Sequence, residues 1–127
     1  FLDEIGDMPL MAQAKLLRVI QELVIRPVGS VEELPISCRF VLATHRNLLE
    51  MVRCGTFRED LYYRVSALTL HTTPLRSRRN DIHEIIDSIP GTSSIPQHKR
   101  DEWEQLMLPG NVRELQNLIN RWILLEE

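Results

Sequence analysis

The chain has 127 residues, 43% of them hydrophobic and 26% charged, with a formal net charge of -3, the make-up of a globular domain or a large piece of one. No apolar run approaches the roughly 20 residues that cross a bilayer and no secretory leader is legible, which argues against a helical membrane protein and makes the cytoplasm the expected location. Cys38 and Cys54 match no metal or redox spacing and read as reduced thiols, which argues against a disulfide scaffold.

Phe1-Leu2-Asp3-Glu4 reads as the end of an apolar strand already under way at Phe1, the look of a piece of a longer chain. In a parallel sheet the carboxyl ends of strands form the ligand crevice. Two acids there suit a magnesium nucleotide, one carboxylate holding the metal's water shell and the other polarising the attacking water. Equally, Asp3 and Glu4 can merely end a strand. Gly6-Asp7-Met8-Pro9 is turn chemistry, with Pro9 suited to a first helical position. Leu10, Ala14, Leu17 and Ile20 recur at helical spacing and predict a helix over residues 9–23, with Gln13, Lys15, Arg18 and Glu22 among the polar positions between them. Residues 24–35 hold Pro27, Gly29 and Pro35 around short apolar runs, which suits a hairpin or an irregular insertion.

Residues 39–43 predict a short buried strand, delivering Thr44-His45-Arg46-Asn47 to its carboxyl end. A helix over 47–53 is stopped by Gly55, a charged helix follows over 57–65, and residues 67–72 read as a further strand. This alternation points to a parallel α/β sheet. Residues 39–79 carry eight Arg, no Lys and only three acids, a local +5 that leaves -8 for the remainder. An all-Arg segment favours forked recognition of phosphate or carboxylate. Without an interleaved aromatic platform, nucleotide phosphates or a neighbouring subunit's acids suit it better than nucleic acid. Beyond Leu75 the pattern is helical: 81–89, a loop over 90–96, then 99–108, broken by Pro109-Gly110. Asn111 is placed to cap a last helix with Leu115, Leu118, Ile119 and Trp122 as its apolar stripe. Leu17, Ile20, Val41, Leu42, Leu115 and Ile119 are expected in the core, and the acidic end at Glu126-Glu127 argues against that helix reading DNA.

Taken in order, Phe1-Leu2-Asp3-Glu4-Ile5-Gly6-Asp7, Arg26-Pro27-Val28-Gly29, Ala43-Thr44-His45-Arg46-Asn47-Leu48 and Gly55-Thr56-Phe57-Arg58-Glu59-Asp60-Leu61-Tyr62-Tyr63-Arg64 resemble the AAA+ ATPase domain of bacterial sigma-54-dependent transcription activators, the NtrC-like enhancer-binding proteins. Pro74-Leu75-Arg76 with Asp81-Ile82, and Pro109-Gly110-Asn111-Val112-Arg113-Glu114-Leu115, extend the resemblance over nearly the whole chain. It implies an α/β fold: residues 1–75 as the C-terminal part of a parallel-sheet core, and residues 76–127 as a small helical lid. Asp3 and Glu4 match the Walker B acids, Asp3 supporting Mg²⁺ and Glu4 activating the lytic water. Thr44 and His45 fall at sensor I, where His45 would face the nucleotide or be held by a backbone carbonyl. Arg58 and Arg64 match a pair of arginine fingers reaching the nucleotide of the next protomer, against the alternative of local pairing with Glu59 or Asp60. Arg113 matches sensor II, against an alternative pairing with Glu114 or across domains.

The family's phosphate-binding loop and its sigma-54-contacting GAFTGA loop lie upstream of Walker B and are not in this sequence. The lid is shorter than usual by about a helical turn or two, and Leu108 stands where an aromatic residue commonly precedes Pro-Gly-Asn. The implied function is part of an ATP-hydrolysing module that assembles into a homo-oligomeric ring and remodels sigma-54 RNA polymerase, with ATP and Mg²⁺ required. Neither direct DNA contact nor membrane contact is expected, and these residues alone are expected to be inactive. A non-catalytic scaffold of the same fold and another ring ATPase are the competing readings.

Overall fold

The computed structural model describes residues 1–125; the Glu126-Glu127 end lies outside them. The chain divides into two compact units, Phe1–Leu70 and a second that starts at His71. No helix among the described residues is long and apolar enough to cross a membrane.

The first unit is mixed α/β. The Leu2 segment runs parallel to the segment around Leu42, with Leu2 N–H donating to Val41 O at 2.9 Å and Ala43 N–H to Leu2 O at 2.9 Å. A 3-10 turn (Ile5–Asp7) leads into helix α1 (Leu10–Glu22). Pro9 sits one residue before α1 in extended geometry, so it caps the helix rather than filling its first position. A two-residue antiparallel pair, β1 (Val24–Ile25) and β2 (Leu34–Pro35), closes the expected hairpin. Helix α2 (Leu48–Arg53) begins where Asn47 Oδ1 accepts the N–H groups of Leu49 and Glu50, and chain direction changes at Gly55, whose φ is +70°. Helix α3 (Glu59–Val65) follows, with acids in its first turn as the helix dipole favours.

The core of this unit is Ile5, Leu16, Leu17, Phe57 and Leu61, with Leu2, Ile20 and Leu42 packed on it. The buried face of α1 is therefore Gln13, Leu16, Leu17 and Ile20. It is the expected stripe rotated so that Leu10 is exposed and Gln13 is inside. Two strand expectations are corrected. Residues 39–43 make a single bridge, and Val41 is exposed because alternation along the segment turns Leu42, not Val41, inward. Residues 67–72 form no strand: no ladder partner stands beside them among the described residues, and Leu68 and Leu70 are exposed.

The second unit is helical: α4 (Asp81–Asp87), α5 (Gln97–Glu104) and α6 (Asn111–Leu125). Its core joins Leu75, Ile82, Ile86, Ile95, Trp103, Leu108, Leu115 and Ile119, with Leu118 and Trp122 packed against it. Leu108 thus fills a core position, and Trp103 supplies an aromatic ring to the same cluster. The loop after α4 is pinned by Thr92, whose hydroxyl lies 2.9 Å from Ile86 O and 2.8 Å from Ile89 O. Arg100 also holds it, reaching Thr92 O, Ile95 O and Asp87.

Candidate functional site

Asp3 and Glu4 emerge where the Leu2 segment leaves its parallel neighbour, and both side chains are exposed. The Glu4 N–H donates to Asp3 Oδ1 at 3.0 Å. Glu4 itself has φ 52° and ψ 45°, a left-handed conformation in a residue with a Cβ, which costs about 1–3 kcal/mol and persists only where its surroundings enforce it. The enforcement is visible on both sides: Ile5 N–H donates to Ala43 O at 3.0 Å, and Gly6 packs so closely that a Cβ there would lie 2.8 Å from Thr44 Oγ1. Gly6 is therefore a close-approach glycine that lets the turn after the two acids lie against residues 44–46.

The turn and the 44–46 segment are tied by side chains as well. Glu4 Oε2 lies 2.7 Å from His45 Nδ1, and Asp7 pairs with Arg46 at 2.5 Å. Thr44 Oγ1 accepts the Arg46 N–H at 3.1 Å. With an ionised Glu4, the hydrogen bond at Nδ1 is donated by the imidazole to the carboxylate. The partner of His45 is thus the Glu4 carboxylate, not a backbone carbonyl. Glu4 and His45 thus touch, Asp3 accepts the Glu4 N–H, and the half-buried Thr44 precedes His45 in the chain.

Arg58 precedes α3 in extended geometry (φ -72°, ψ 132°) instead of lying on it as the expected helix over 57–65 has it. The Arg58 guanidinium forks onto its near neighbour Asp60, with Nε 3.0 Å from Oδ1 and the terminal nitrogen 2.6 Å from Oδ2. The hydrogen bonds that Arg58 donates to Asp60 raise the Arg58 pKa further above its ordinary range, and the same contact lowers that of Asp60. Both side chains remain about half exposed. The fork holds the guanidinium at the surface. Arg64, in the last turn of α3, is exposed and makes no ion pair or side-chain hydrogen bond among the described residues.

Sequence reasoning missed Gln13. Its side chain is 0% exposed, and every bond of its amide crosses to another segment. Nε2 donates to Met8 O at 2.8 Å and to Thr56 O at 3.1 Å, while Oε1 accepts the Arg58 N–H at 2.9 Å. The available signal was spacing: Gln13 stands at i with Leu16, Leu17 and Ile20 at i+3, i+4 and i+7.

In the second unit Arg113 lies exposed in the first turn of α6 and makes no ion pair among the described residues. Glu114 instead accepts the Gly110 N–H at 2.7 Å. Asn111 does not cap α6 with its side chain. It adopts φ 54°, and its Oδ1 accepts the Leu75 N–H at 2.8 Å.

The donor set at residues 3–4 and 44–45 is chemically fit for a magnesium nucleotide. Asp3 offers a solvent-facing hard-oxygen carboxylate at the end of a parallel-paired segment, the kind of ligand Mg²⁺ takes through its water shell. Glu4 adds a carboxylate already oriented by an imidazole.

The family model for the sigma-54 interaction domain matches residues 1–71. The chain is 40% identical over 130 residues to the response regulator protein PilR of Pseudomonas aeruginosa, covering 95% of this chain and 29% of that protein. It is 43% identical over 130 residues to the transcriptional regulator NtrC of Azospirillum brasilense, covering 95% of this chain and 27% of NtrC. The crystal structure of NtrX from Brucella abortus in complex with ATP superposes with a TM-score of 0.82 at 31% identity, over 97% of this chain and 31% of that one. The chain therefore spans less than a third of the length of each of these proteins. The α/β unit followed by helices is a partial AAA+ fold.

Proposed function

The chain belongs to the sigma-54 interaction domain family of NtrC-like transcription activators, and from that premise we propose that it carries the hydrolytic half of an ATPase site. In this reading the parent protein hydrolyses ATP in a homo-oligomeric ring and uses the energy to remodel sigma-54 RNA polymerase in the bacterial cytoplasm. The polymerase is engaged through a loop outside these residues, and no direct DNA contact is assigned to this segment.

Glu4 orients and deprotonates the lytic water, and His45 fixes the direction of its carboxylate. Asp3 holds the water shell of Mg²⁺, which when bound offsets phosphate charge. Thr44 and His45 face the terminal phosphate, and Arg113 neutralises phosphate charge from the helical unit. Arg58 and Arg64 serve the nucleotide of the adjacent protomer, where a guanidinium supplied in trans offsets charge on the transferred phosphoryl group. Without a cradle of backbone N–H groups for the phosphates, residues 1–127 alone bind ATP weakly and do not turn it over.

The observation that carries this reading is the Glu4–His45 contact of 2.7 Å, which holds a strained, exposed carboxylate where a strand end meets a polar turn. The test is Glu4→Gln in a complete ATPase domain containing this chain. Turnover should fall by about 10²-fold or more, the scale of a general base, with ATP affinity retained. Equal loss of binding and turnover overturns the role of Glu4.

A further inference from the structure

We propose that Gln13 is a positioning residue that couples the turn behind Glu4 to the backbone of Arg58. The inference rests on the reading of Arg58 as an arginine acting in trans. A glutamine with no exposed surface in the middle of an otherwise apolar helix face needs a reason, because burying an amide is costly unless its groups are bonded. Here both donors and one acceptor position are used, and none goes to its own helix.

The three partners are what give the residue its role. Met8 lies directly after the Ile5–Asp7 turn that orders Glu4. Thr56 and Arg58 flank Phe57, which is 2% exposed in the core. One planar amide thus fixes the distance between the backbone that presents a protomer's own acids and the backbone that presents the arginine it lends to its neighbour. Among the described residues the Arg58 side chain has only its exposed fork to Asp60, so its aim is set from the backbone side. An apolar side chain of similar size at position 13 would keep the packing and lose the register.

The test uses a complete ATPase domain containing this chain, with Gln13→Met, Arg58→Ala and Glu4→Gln protomers assayed alone and in equal mixtures. Alone, Gln13→Met should lower kcat by about 10²-fold, the cost of a displacement near 1 Å in a reacting group, with the KM for ATP within about threefold. Mixed with Glu4→Gln it should regain activity, since in randomly mixed rings about one interface in four pairs an intact Glu4 with a well-placed Arg58. Mixed with Arg58→Ala it should regain nothing, because both copies lack a correctly aimed arginine.

If Gln13→Met with Glu4→Gln stays at the weighted sum while Arg58→Ala with Glu4→Gln rises, Gln13 does not position Arg58. Failure of the Arg58→Ala mixture to rise overturns the trans reading and this proposal with it. Should Gln13→Met lose its helical circular dichroism, Gln13→Asn takes its place, since it keeps a neutral amide while drawing it one methylene back from the Arg58 N–H. A deficit of that variant that Arg58→Ala relieves and Glu4→Gln does not relieve is the contrary result.

Discussion

Glu4 occupies left-handed backbone space with a side chain held 2.7 Å from His45. The left-handed backbone of Glu4 is a local cost that the contacts around the turn must offset. Arg58 presents the complementary case, a guanidinium parked on Asp60 in the open. Because hydrogen bonding to Arg58 lowers the Asp60 pKa in the folded protein, the pair's contribution to stability is complete above the ordinary carboxylate value of about 3.9. It is lost as pH falls through the depressed folded value. An NMR titration of side-chain carboxyl carbons should find Asp60 titrating below that ordinary value, and Arg58→Ala should return it upward. An Asp60 midpoint at or above the ordinary value, unmoved by Arg58→Ala, contradicts the fork.

At the scale of elements, the junction before α6 shows how little of a role the residue type alone decides. Asn111 was legible as a helix start, and α6 does begin there, but its side chain turns away to hold the Leu75 N–H. Asn tolerates the φ of 54° better than any residue with a branched Cβ. Asn111→Ala should therefore cost about 1–3 kcal/mol from an unsatisfied N–H plus backbone strain, and Asn111→Gly should recover only the strain. Urea unfolding of both variants checks this; an Asn111→Gly variant as stable as the unmodified chain would show that the Leu75 contact is idle.

The same lesson applies to α1. Its length was readable from Leu17 and Ile20, yet its inward face was misjudged because a polar Gln13 was assumed to point outward. Spacing puts Gln13 on the face of Leu16, Leu17 and Ile20; what spacing alone does not supply is the backbone partners, 43 and 45 residues away, that make burial of an amide tolerable. Strand reading failed where pairing is decided by distant segments: residues 67–72 have β-prone composition but no ladder partner among the described residues. The helices α2 and α6 were legible because their signals are local: Gly55 as a stop, and Leu115 with Ile119 one turn apart.

For the molecule as a whole, much of the Arg-rich segment is neutralised locally: Arg46 by Asp7, Arg53 by Glu50, Arg58 by Asp60 and Arg78 by Asp81. Arg64 and Arg113, by contrast, make no ion pair among the described residues. The sequence motifs pointed to Asp3, Glu4, His45 and Arg58. What only the folded chain reveals is that Glu4 and His45 touch, and that Arg58 is tethered to α1 from behind.

In the proposed ring, Glu4 of one copy and the arginines of the next act on one triphosphate. Complete ATPase domains containing this chain, one bearing Glu4→Gln and the other Arg58→Ala with Arg64→Ala, should each be inert alone. Combined, they should hydrolyse ATP at about a quarter of the unmodified rate, the share of interfaces that unite both intact halves. A mixture as inert as its components would contradict the claim.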